Sequence, residues 1–253
     1  MGKEKVMKKV WFGIAATFAV MGIVFTGCKD SLVETSSSKT SAIELGAIGT
    51  QHNAILSEFY QLNNASRSAS TGLTDEDVEE YFGDCQTLLS TSYEDANTIV
   101  SSLVSEANIS EEVVPFIQQI EDLLENPTDS LDTMISAIVS IEEDAYKTLS
   151  EELYAEFESY ADTAKASLMF WTENYELLSS ESSARSTSSS STVSVWQRIA
   201  MSVASDAAGA IAGYQEGKSR GYTGSTLVAY VAGCAAASSA SGFANAELKV
   251  ITL

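Results

Sequence analysis

Apolar residues recur along most of this chain at intervals of three and four, the spacing of one face of an α-helix. The longest stripe is Leu149, Leu153, Phe157, Tyr160, Ala164, Leu168, Trp171, Tyr175 and Leu178. It predicts one helix over 147–178, about 45–50 Å long at the usual rise per residue. Ile48, Ile55, Phe59 and Leu62 predict a helix over 42–63. Thr74, followed by acids in the first turn, opens another. A further stripe covers 92–107, with Ile99, Val100, Leu103 and Val104. The next helix starts at Asn108–Glu112 and ends at Asn126-Pro127, because proline cannot continue a helix. Thr128 or Asp129 then caps a helix through Leu131, Met134, Ile135, Ile138 and Ile141. The fold class is therefore all-α: a bundle of amphipathic helices over 42–181, with acids on the outer faces. Two prolines in 253 residues agree with long helices.

The pattern changes at a Ser-rich stretch, 182–192, which reads as a linker. Beyond it, 193–253 is rich in Ala, Gly and Ser. Gly209, Gly213, Gly217 and Gly221 recur every fourth residue, and Ala229, Gly233, Ala237 and Ser241 repeat that spacing. Small residues at this interval share one helix face and let two backbones approach closely. They predict a Gly/Ala-rich helical hairpin, with one helix from Val195 to near Gly217, a turn at Gly221–Gly224, and a second helix over 225–244. Few large aliphatic residues are available, so membrane insertion of this hairpin is at best weakly favourable. Packing within the protein is the favoured reading.

Charge sharpens this division. The chain carries 14 Lys+Arg against 35 Asp+Glu, a net charge of −21. Nearly all the acid excess lies in 73–181, where Lys147 and Lys165 are the sole basic residues. Nucleic acid and anionic lipid are poor partners for such a surface. The N-terminus is different: a lysine-rich start precedes an uncharged apolar run, Val10–Phe25, which ends Phe25-Thr26-Gly27-Cys28. A basic n-region, an apolar h-region and small residues before a cut site form a secretory signal. Thr26-Gly27-Cys28 resembles the lipobox of bacterial lipoproteins, with Phe25 where leucine is commonest. The resemblance implies a signal peptide over 1–27, cleavage after Gly27 and lipidation of Cys28. Residues 28–41 then form a lipidated cysteine and flexible tether.

Candidate chemistry is sparse. Ala212–Ser219 matches a relaxed phosphate-loop pattern, but it lacks the first glycine and follows an Ala-rich helical stretch rather than a strand. Ser36 and Lys39 have the spacing of a serine–lysine pair but lie in the tether. The dense carboxylates from Asp75 to Asp84 lack the order of a calcium loop. His52, the sole histidine, falls on or beside an apolar face and reads as a packing residue. Cys85 and Cys234 could pair in an exported chain, although Cys234 alone reads equally as a buried thiol. No metal or cofactor is expected, and no catalytic residue. The expected function is a non-enzymatic binding or structural role for a lipid-anchored envelope protein, periplasmic or surface-exposed, with an unknown protein partner. The alternative is a membrane-active or pore-forming protein acting through the hairpin.

Overall fold

The computed structural model describes residues 46–66, 81–83, 103–104, 107–127, 130–175 and 195–251. Cys28, Cys85, the tether, the helix predicted from Thr74, the carboxylates from Asp75 to Asp84 and most of the 92–107 stripe lie outside them. The described elements are six helices: α1 (Gly46–Ser66), α2 (Val114–Glu125), α3 (Leu131–Thr148), α4 (Glu151–Glu173), α5 (Val195–Ser219) and α6 (Gly224–Ile251). They belong to one compact unit, 42–253.

The long helix predicted over 147–178 is interrupted at its start. Lys147 lies in the last turn of α3, Leu149 is extended, and Ser150 caps α4 by accepting the amide N–H of Leu153. Glu151 and Glu152 then fill the first turn, where the helix dipole favours negative charge. A hydrophobic stripe with the right period thus runs through a cap, and α4 has 23 residues. The cap of α3 is Ser130 rather than Thr128 or Asp129; its Oγ accepts the Thr133 N–H. In α1, Leu62 is half exposed, against expectation. The buried face there is centred on Gly49, His52, Leu56, Phe59 and Tyr60. Leu62 lies about 100° from that centre on a helical wheel.

The Gly/Ala-rich hairpin stands at the middle of the unit. Every residue of α5 from Ser202 to Tyr214 is buried. A helix buried on all sides must be apolar all round or have its polar groups paired. α5 packs on α4 and α6, and α6 also packs on α1. Ile199, Val203, Ala207 and Ile211 of α5 share a core with Leu56, Phe157, Leu168 and Trp171. The segments 42–181 and 193–253, distinct in composition, therefore build one core.

Small residues make this possible. A Cβ on Gly209 would lie 2.6 Å from the Cys234 carbonyl oxygen, and one on Gly213 would lie 2.8 Å from the Cys234 Cβ. Gly217 is crowded by the flexible end of Leu227. Gly233 lies half-buried on α6. Gly221 has another role. Its φ is +78° and no atom lies near its absent side chain. It sits just past the C-terminus of α5, where Tyr222 N–H bonds to the Gly217 carbonyl and Gly221 N–H to that of Lys218. This is a Schellman turn, whose left-handed position suits glycine. Gly49 of α1 is equally tight: its Cβ would lie 2.5 Å from the Ala166 Cβ of α4.

Gly209→Ala should destabilise the protein by about 1–3 kcal/mol, because the group it meets is backbone and cannot rotate away. Gly217→Ala should cost less, since a leucine methyl can move. Urea denaturation of both variants measures this; equal losses would show that the hairpin backbones are not this close.

Candidate functional site: a buried polar network

The chemistry-bearing residues that the fold brings together lie between α1, α4 and α5. Asp206 is at the centre of α5 and fully buried. Its Oδ2 accepts the Ser167 hydroxyl at 2.6 Å and the Trp171 indole N–H at 2.9 Å, both from α4. His52 of α1, also fully buried, places Nε2 at 3.2 Å from the same oxygen. That is ion-pair distance, though out of line for a hydrogen bond. On its other side, His52 Nδ1 meets Asn53 Oδ1 at 2.9 Å. Asn53 Nδ2 donates to the Ala166 carbonyl of α4. The apolar stripe of α1 thus carries a polar anchor at its centre, and His52 is more than a packing residue.

The helical periods bring these groups together. His52 lies one turn from both Ile48 and Leu56 on the buried face of α1. Ser167 and Trp171 are four apart on α4 and so share a face. Trp171 is held edge-on by Tyr60 and Phe170.

A second cluster borders the first. Lys165 of α4 bonds both oxygens of Glu142 on α3 at 2.7 Å and approaches Asp162 at 3.8 Å. Asp162 Oδ2 accepts the Gly49 N–H at 3.1 Å, in the first turn of α1. This carboxylate from another helix does the work of an N-cap. Burial raises the carboxyls of both Glu142 and Asp162, and the contacts with Lys165 oppose the rise. Burial also lifts Glu158 to about 7, with the charges of Asp162 and Glu142 adding to the effect.

Further acids are internal. Glu121 of α2 is fully buried. Its Oε1 accepts the Tyr160 hydroxyl, and its Oε2 meets no hydrogen-bond partner among the described residues. Burial pushes Glu121 up to about 8. Glu156 is buried and accepts the Ser110 N–H at 3.0 Å. The expectation that acids coat the outer faces therefore fails for Glu121, Glu142 and Glu156. Each sits on a stripe position where hydrogen bonds offset part of the cost of burial.

The arrangement contains serine, histidine and aspartate but not the geometry of a nucleophilic triad. Ser167 gives its hydrogen to Asp206, and His52 faces Asp206 rather than Ser167. A nucleophile needs its base within hydrogen-bond reach and access to substrate. What the network can do is hold three helices in register. The phosphate-loop match, Ala212–Ser219, lies inside the continuous helix α5, with no loop to cradle a phosphate. Among the described residues no cluster of His, Cys, Asp or Glu has the makings of a metal site. Among them too, no helix is long and apolar enough to cross a membrane. Cys234 is buried against Gly213, while Cys85 is outside the described residues. Comparison of the chain with protein-family models, with curated proteins and with solved structures finds no match.

Glu121 holds its proton more tightly folded than unfolded, so it favours the folded state below its ordinary value of 4.5 and loses that contribution as pH rises toward about 8. Glu121→Gln should flatten the fall in denaturation midpoint over that window and be more stable than wild type at its upper end. An unchanged slope would show that Glu121 does not titrate in the core.

Proposed function

We propose that this chain is an exported, lipid-anchored helical protein with a non-enzymatic binding or structural role at the bacterial envelope. One observation carries the reading: the lysine-rich start, the apolar run and Thr26-Gly27-Cys28 in immediate succession. In this reading Cys28 receives lipid, residues 29–41 act as the tether, and the helical unit stands off the membrane. Several lipid chains on one cysteine give stable anchoring, since each buried CH₂ adds about 0.8 kcal/mol. The acid excess of 73–181 supports a unit that stays clear of anionic lipid and meets a protein partner instead. The buried polar groups supply helix-to-helix links rather than a reactive centre, which supports a scaffold. The α5 face bearing Gly209, Gly213 and Gly217 is filled by α6. That packing speaks against a hairpin that inserts or assembles through it.

Cys28→Ser expressed in a bacterial host should lose incorporation of a labelled fatty acid and leave the membrane fraction. Retained label on the variant would refute lipidation at Cys28.

A further inference from the structure

We propose that the outward face shared by α3 and α4 docks a basic amphipathic segment of a partner protein, with arginine or lysine over Tyr146, Tyr154 and the neighbouring acids, and apolar side chains against Val139 and Met169. The inference rests on the reading above in one respect, that the unit binds a protein partner, and it adds the chemistry of that partner.

Helical periods assemble the face. On α3, Ile135, Val139, Glu142 and Tyr146 recur at intervals of three and four, and so share one side. On α4, Tyr154, Glu158, Asp162, Lys165 and Met169 do likewise. Each stripe lies about 90° round its helix from the side that enters the core, which holds Met134, Ile138 and Ala145 on α3 and Phe157, Ala164 and Leu168 on α4. The two stripes meet. At the corner between the helices the Tyr146 and Tyr154 rings pack edge to face, with centroids 5.1 Å apart. Farther along, Lys165 bonds Glu142 and approaches Asp162. Val139 lies one turn from Glu142, and Met169 one turn from Lys165. Large apolar groups here turn to solvent: Tyr146 is 56% exposed, Met169 45% and Val139 40%.

Charge selects the occupant. Three carboxylates, Glu142, Glu158 and Asp162, face one lysine, so negative charge remains after the internal pairs are made. Burial raises the Tyr154 hydroxyl, and the charges of Glu158, Glu142 and Asp162 add to the rise. The aromatic pair therefore looks onto the same acids. A guanidinium or ammonium group can stack on a tyrosine ring and pair with carboxylates beside it. Exposed apolar groups within a turn or two call for a ligand that also carries apolar side chains at helical spacing. Anionic lipid is repelled by such a face. A second copy brings the same acid excess, −21 in all, and is repelled too. Of the chain's own cations, Lys147 is engaged by Asp144 and Arg220 by Glu216.

The test titrates the full chain with a synthetic helix bearing arginine and leucine on one face. The peptide should bind and shift the backbone amides of α3 and α4. Tyr146→Ala and Glu158→Gln should each weaken binding about two- to fivefold, the worth of an exposed cation–π contact or ion pair. Glu125→Gln, which removes an exposed acid from α2, should change it little. Should Glu158→Gln fail to fold, Val139→Ser and Met169→Ser, both at exposed positions, should weaken binding in its place. Absence of binding would overturn the proposal. So would equal losses with Glu158→Gln and Glu125→Gln, the mark of attraction to the acid coat at large. Undiminished binding of the same peptide with serine for leucine would reveal a site for cations alone and overturn it as well. Amide shifts at this face on concentrating the chain without peptide would make a second copy the occupant instead. None of these readouts depends on Cys28, and the fatty-acid label needs no peptide, so the docking face and the anchored-protein reading fail separately.

Discussion

Asp206 lies where a helix has no water to offer. Removing a carboxyl group from water is costly unless hydrogen bonds and polar neighbours replace the lost solvent. The replacements here come from two other helices: Ser167 and Trp171 from α4, His52 from α1. Each must arrive with its polar atom within about 3 Å of the same oxygen. That demand fixes the rotation of α1 and of α4 about their own axes. An apolar core tolerates many rotations of nearly equal energy, whereas a buried polar group that needs its partners tolerates few. The aromatic packing of Tyr60 and Phe170 on Trp171 follows from the same orientation.

The rest of the unit is arranged so that this centre can be reached. α5 is thin, because its buried face is mostly Ala, Gly and Ser. A thin helix lets side chains from both flanks touch its middle, and Gly209 and Gly213 bring α6 nearly into backbone contact on a third side. Large side chains are concentrated on the partners: Phe59 and Tyr60 on α1, and Phe157, Tyr160, Phe170 and Trp171 on α4. Thin and thick helices therefore interleave. The Lys165 cluster adds a second tie, joining α3, α4 and the first turn of α1.

Among the described residues, helix existence was legible in the apolar periods, and so was the hairpin turn, because Gly221 and Gly224 are strong breakers. The break at Ser150 was not. Its stripe keeps the helical period across the boundary, and only the local order Ser-Glu-Glu marks a cap. The polar network left a different kind of trace. His52 sits on an apolar face, Asp206 is the one charge in a long Ala/Gly stretch, and Lys165 is one of two cations in an acidic block. Each is a charge or polar group in a setting that cannot solvate it, so each requires a partner. Matching the orphaned His with the orphaned Asp follows from that rule. The contributions of Ser167 and Trp171 do not, because serine and tryptophan are unremarkable on a stripe that also holds alanine. Nor do the internal positions of Glu121, Glu142 and Glu156, which composition assigns to the surface.

The packing of α1 on α6 has a consequence for how the chain acquires its structure. These helices are far apart in sequence, yet Ile48 of α1 shares a cluster with Val228 and Val231 of α6. Until α6 has been made, one side of α1 and one side of α5 lack cover. Contacts so distant in sequence carry a loop-closure cost and are made late. A chain emerging from the ribosome therefore cannot complete this packing before α6 is made, and α1 waits for its partner while the helices between them are synthesised.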